Sequence, residues 1–117
     1  MEQHRQDVSN LIQKSLNEAP ICKTKESCDT MMEMAQVWVN TNTEMKIQTV
    51  TSAIIETYTD PQGSRISFTI EKVPLGKSEY QIMLHSAGNG SVIEFKSSAE
   101  KEAMRRNNFN AYIKSRT

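Results

Sequence analysis

The hydrophobic positions change period along the chain. Val8, Leu11, Ile12, Leu16 and Ala19 recur at helical spacing, and Pro20 closes the run. This predicts a first helix over residues 6–18. A polar connector over 20–27 follows. Met31, Met34, Ala35 and Trp38 then form an i, i+3, i+4, i+7 stripe, widened by Met32 and Val39. The stripe predicts a second helix over 28–40. Ser27 is its expected N-cap, because a hydroxyl there takes an orphan backbone N–H. Asp29 suits the positive end of the helix dipole. Asn40-Thr41-Asn42-Thr43 stops the helix, since these side chains compete for backbone hydrogen bonds.

From Met45 the period becomes two. Met45, Ile47 and Thr49 alternate with Lys46 and Gln48, and Ile54, Glu56 and Tyr58 alternate with Ile55 and Thr57. Residues 49–52 read as a turn or bulge. Asp60-Pro61-Gln62-Gly63 is a turn, with Pro presetting φ and Gly tolerating positive φ. Ile66, Phe68 and Ile70 are expected to face inward and Ser67, Thr69 and Glu71 outward. Val73-Pro74-Leu75-Gly76 reads as the next turn. Tyr80, Ile82 and Leu84 face inward again, with Gln81, Met83 and His85 outward. Gly88-Asn89-Gly90 predicts a type I′ hairpin leading to a last strand over 92–95.

Ser97 and Glu100 match a capping box that opens a C-terminal helix. Asn107-Asn108 is expected to interrupt it, with Asn108 capping a short last helix over 109–114. The fold class is therefore α+β. Two N-terminal helices precede a four- to five-stranded antiparallel meander, and a C-terminal helix packs on one sheet face. No repeat or linker divides residues 1–117, which read as one domain with a disordered end over 1–5. The driving force is burial of the oily sheet face under helices, at about 25 cal/mol per Å². The other face can stay wet.

Composition narrows the partners. The chain has 117 residues, with 14 basic and 14 acidic side chains. Nucleic-acid binding is disfavoured, because phosphate neutralisation calls for a basic excess. The charge is uneven: residues 1–60 hold nine acids and five bases, whereas residues 96–117 hold six bases and two acids. Those six are Lys96, Lys101, Arg105, Arg106, Lys114 and Arg116. They either make a solvated end or form a basic patch for an acidic partner. No apolar run reaches the roughly 20 residues of a membrane span.

The N-terminal residues lack the apolar segment of a signal peptide. Either the protein is cytoplasmic, or Met1 was added to a mature secreted chain. Cys22 and Cys28 bear on that choice. A disulfide between them would tie the two predicted helices together and imply an oxidising compartment. The alternative is two free thiols. Metal binding is disfavoured, as no C-x2-C spacing or second Cys/His pair occurs.

Catalytic signals are sparse. No P-loop, G-x-G-x-x-G, H-E-x-x-H or G-x-S-x-G is present. His4 lies near the terminus. His85 could act as a base beside Glu94, and Glu56 could be a buried carboxylate, but each also reads as an ordinary strand residue. Asn89-Gly90-Ser91 fits a sequon and, more simply, a turn. The Met31-Met32-Met34 group reads as core filler. No cofactor is called for.

The succession Cys22, Cys28, Ala35, Trp38, then Lys46-Ile47-Gln48 and Ile55-Glu56-Thr57-Tyr58, resembles small uncharacterised secreted proteins of Gram-negative bacteria. These are periplasmic or lipoprotein-type domains with a disulfide-linked helix on an antiparallel sheet. The likeness covers about residues 20–85. It implies an envelope location and a helix-on-sheet fold, but no reaction.

The sequence thus points to a non-enzymatic envelope module that binds another protein, with an immunity-type inhibitor as one form. Its expected interaction surface comprises Thr69, Glu71, Gln81, Met83, His85, Arg105 and Arg106. The alternative is a small-ligand carrier or small enzyme. It would use a cleft between helix 28–40 and the sheet, marked by a buried cluster of Glu56, Tyr58 and His85.

Overall fold

The computed structural model describes the backbone of residues 2–88 and 97–117, with side chains from Gln6 onward. Three helices and a five-stranded antiparallel sheet form an α+β fold. In chain order the elements are α1 (Glu2–Asn17), β1 (Ile21–Cys22), α2 (Lys25–Asn42), β2 (Ile47–Val50), β3 (Ile54–Thr57), β4 (Ser67–Gly76), β5 (Glu79–Ala87) and α3 (Ser98–Arg116). The strands lie in the order β1-β5-β4-β3-β2, so β2 to β5 form the expected meander. The hairpin at Asn89-Gly90 and the strand over 92–95 lie outside the described residues.

Several boundaries differ from the sequence reading. Helix α1 starts at Glu2 and takes in residues read as a disordered end. These residues are polar, but most have good helix propensity. Helix α2 begins three residues early, at Lys25. Thr24, not Ser27, is its N-cap. The Thr24 hydroxyl accepts from the Ser27 N–H at 3.0 Å, and the Ser27 hydroxyl accepts from the Thr24 N–H at 3.2 Å. Ser27 therefore completes a reciprocal capping box from the third helical position.

The connector over 20–27 contributes a fifth strand. Ile21 pairs with Gln81 and Cys22 with Tyr80, and the Ile82 N–H donates to the Pro20 carbonyl at 2.8 Å. Two residues are too few to show a period, which is why the pattern hides them.

The turn read at residues 73–76 is displaced. Strand β4 continues through Pro74, opposite Tyr80, to Gly76. Lys77 and Ser78 then make the hairpin with φ of 54° and 67°, the positive values that a type I′ turn requires. Pro74 is tolerated because of where its neighbour stops. The Lys72 N–H points toward β3 and bonds the Ala53 carbonyl. The nitrogen of Pro74 faces the same way, past the end of β3, where no ladder bond is lost.

Helix α3 runs unbroken through Asn107-Asn108. The expected break does not occur because nearby asparagine side chains bond elsewhere. Asn108 Oδ1 accepts from Trp38 Nε1 at 3.1 Å, and the buried Asn110 donates to the Ser15 carbonyl at 2.9 Å. Neither competes with its own helix backbone. At the N-terminus, the Ser97 hydroxyl accepts from the Glu100 N–H as the S-x-x-E pattern predicts.

The core lies between the sheet and the helices. Phe68, Ile70, Ile82 and Leu84 are buried, while Ile66 and Tyr80 are partly so. Ser67, read as facing outward, is buried opposite Ala87. Met31, Met32, Ala35, Trp38 and Val39 of α2 and Phe109 and Ile113 of α3 complete the cluster. Trp38 meets Phe68 and Phe109 edge-on, at centroid distances of 5.0 and 5.3 Å.

Candidate interaction surfaces

Cys22 and Cys28 are joined in a disulfide with Cα atoms 5.1 Å apart. Both are buried, and the bond ties β1 to the first turn of α2. Closing so short a loop is worth about 2 kcal/mol in the chain-entropy model. The double variant Cys22→Ser/Cys28→Ser is expected to lose about that much stability in urea denaturation.

Antiparallel register gathers five of the predicted surface residues, Thr69, Glu71, Gln81, Met83 and His85, on the sheet face away from the core. Thr69 lies between His85 and Glu56, and Glu71 lies between Met83 and Ile54. His85 Nε2 is 3.6 Å from Glu71 Oε2, with both side chains nearly half exposed. Ile54, Val73 and Met83 are only partly covered, and Tyr58 is exposed. The buried cluster formed with α2 and α3 lies on the opposite face.

Gln81 and the two predicted arginines are engaged by other elements. Gln81 donates to the Ala19 carbonyl at 3.2 Å and helps seat the α1–β1 junction. Arg105 donates to the Ser86 hydroxyl at 3.0 Å and the Gly88 carbonyl at 3.2 Å. Partial burial lowers its pKa, against the opposing effect of the Glu102 and Glu44 charges; it remains a cation. Arg106 is 3% exposed and cannot present a surface. It donates to the Leu84 carbonyl at 2.8 Å, the Ser15 hydroxyl at 3.1 Å and Glu102 at 2.8 Å. The basic C-terminal patch is therefore partly consumed inside the fold. Arg116 stacks on Tyr112, 3.8 Å from the ring centroid.

These contacts have a common effect on β5. Beyond β1, its rim would expose unpaired backbone groups. Glu102 instead accepts from the Ser86 N–H at 3.0 Å, Arg106 binds the Leu84 carbonyl, and Arg105 binds that of Gly88. Side chains of α3 thus occupy the positions a neighbouring strand would take, which protects the rim from foreign pairing. Periodicity alone carries no signal that α3 crosses there.

The cluster expected for an enzyme is not assembled. Glu56 and Tyr58 follow one another on the β3 side of the face, and His85 lies on β5 with β4 between them. Tyr58 is exposed rather than buried. Glu94 lies outside the described residues. Among the described residues, no group of three or more His, Cys, Asp or Glu could hold a metal. Shallow clefts flank α2, two of them on its sheet side. One, of about 220 Å³, separates it from the β2–β3 hairpin. The other, of about 280 Å³, lies against Trp38, Phe68 and α3.

The loop after β3 is organised by one carboxylate. Asp60 accepts from the N–H groups of Arg65 and Gln62 and from the Ser64 hydroxyl, at 2.9 to 3.1 Å. These bonds, led by that from Arg65, hold its pKa well below the usual carboxylate range. The stabilisation is present above the unfolded pKa and is lost as pH falls below it. The thermal midpoint should therefore drop on acidification below about pH 4, less steeply in Asp60→Asn. Paired thermal melts across that range check this.

Compared with family models, curated proteins and solved structures, the chain matches none of them. No helix among the described residues is long and apolar enough to cross a membrane.

Proposed function

We propose that the protein is a partner-binding module of an oxidising compartment, working through the sheet face that its helices leave open. The observation that carries this reading is the one-sided packing. Partly covered apolar side chains (Ile54, Val73, Met83) and the exposed Tyr58 share that face with Thr69, Glu71 and His85. Solvation alone calls for polar residues there, and an apolar surface with a polar rim suits a protein partner. An immunity-type inhibitor is one specific form of this role. The buried disulfide and the resemblance to secreted envelope proteins support a periplasmic or secreted location over a cytoplasmic one. The carrier or enzyme alternative has less support, because Glu56, Tyr58 and His85 stay apart.

Site-specific photo-crosslinking in the producing cell tests the reading. A photoreactive residue at Thr69 or Met83 should give one discrete protein adduct, and one at Gln13 on α1 should give none. Equal adducts from all three positions, or none from the sheet face, would overturn it.

A further inference from the structure

A second recognition feature lies on the helix-bearing side. Asp29 and Glu33 stand one turn apart on α2, on one wall of the groove of about 220 Å³ beside the β2–β3 hairpin. Val50 and Ser52 line the opposite wall, and Met32 and Ile55 form the floor. Met32 and Ile55 are 6% and 1% exposed, whereas Val50 is 48% exposed. The groove is therefore oily below and carboxylate-rimmed above.

Few guests satisfy both features. An anion is repelled by the two carboxylates. Among the described residues, a metal ion finds no third His, Cys, Asp or Glu ligand here. A purely apolar guest would desolvate the acids without pairing them. A long cationic side chain fits, since its methylene stem covers apolar surface while its head stays with the charges.

We propose that this groove receives an arginine side chain of a partner protein, its stem over Met32 and Val50 and its guanidinium between Asp29 and Glu33. The forked guanidinium can donate to two carboxylates at once, which the compact lysine ammonium does less well. Lys25 already lies 3.2 Å from Asp29, but it is 91% exposed, and so open a pair yields readily to a competitor. This inference rests on the reading of the chain as a partner-binding module, and names one side chain that the partner supplies.

The test is an amide NMR titration of the full chain with N-acetyl-Gly-Arg-Gly-amide. Saturable shifts at Met32, Val50, Ser52 and Ile55 are expected, with a dissociation constant on the order of millimolar. Glu33→Gln, at an exposed position, should weaken binding by about three- to fivefold while leaving the rest of the spectrum in place. The norleucine peptide should not bind, and the lysine peptide should bind less tightly. Absence of saturable shifts, equal binding by the norleucine or lysine peptide, or an unchanged affinity in Glu33→Gln would overturn the proposal. Because the probe is a tripeptide, failure here leaves the crosslinking result at Thr69 unaffected, and failure there leaves this titration interpretable.

Discussion

Replacing Arg106 with alanine is expected to destabilise the protein by about 3–5 kcal/mol, the range for breaking a buried ion pair by removing one partner. The guanidinium is almost fully buried and serves three acceptors on three elements: Ser15 on α1, Leu84 on β5 and Glu102 on α3. Truncation leaves the Leu84 carbonyl and the Ser15 hydroxyl without this donor in the interior, where an unmet polar group is costly. Glu102 is 30% exposed and can relax toward water, which sets the loss below the upper extreme. Arg106→Lys should recover less than roughly half of the lost stability, because one ammonium cannot reproduce the fork. Urea denaturation of the two variants beside the parent chain measures both effects. A loss under about 1 kcal/mol for Arg106→Ala would mean that the network adds little beyond a surface pair.

Trp38→Ala is the second large effect, with a loss of about 3–5 kcal/mol. The indole is 3% exposed and wedged edge-on between Phe68 of β4 and Phe109 of α3. Its removal opens a cavity where α2, α3 and the sheet meet, and little else can fill it. Trp38→Phe separates packing from hydrogen bonding. It keeps an aromatic ring but loses the bond to Asn108, and should cost only about 1–2 kcal/mol. Trp38 is the only tryptophan, so unfolding is followed by circular dichroism rather than fluorescence.

The parts of the fold that were legible share one property: the signal repeats. The inward set Phe68, Ile70, Ile82 and Leu84 is buried because alternation over several residues fixes which side faces the core. The stripe Met31, Ala35, Trp38 placed α2 on that core for the same reason. The cysteine pair was legible from its proximity in the chain. What escaped depends on single tertiary contacts. Asn107-Asn108 has the composition of a break, yet Asn108 is committed to Trp38. Strand β1 exists because it lies beside β5, not because two residues favour it. Lys77 and Ser78 are uncommon residues for positive φ, so the turn was placed at Pro74 and Gly76 instead. Alternation is enough to place Thr69, Glu71, Gln81, Met83 and His85 on one side of the sheet. It carries no sign that Gln81, Arg105 and Arg106 also spend their polarity on joining elements.

A sheet whose one rim offers only a two-residue strand, with α3 side chains filling the remainder, elongates poorly from that end. Two molecules brought together through β2 would form a pair whose outer limits are each the two-residue β1 and the stretch of β5 covered by α3. Among the described residues, a third molecule finds only the two residues of β1 to continue. Crowding in a confined space would then favour short assemblies over long ones by this route, and broad strand addition along β5 would first require α3 to let go of it.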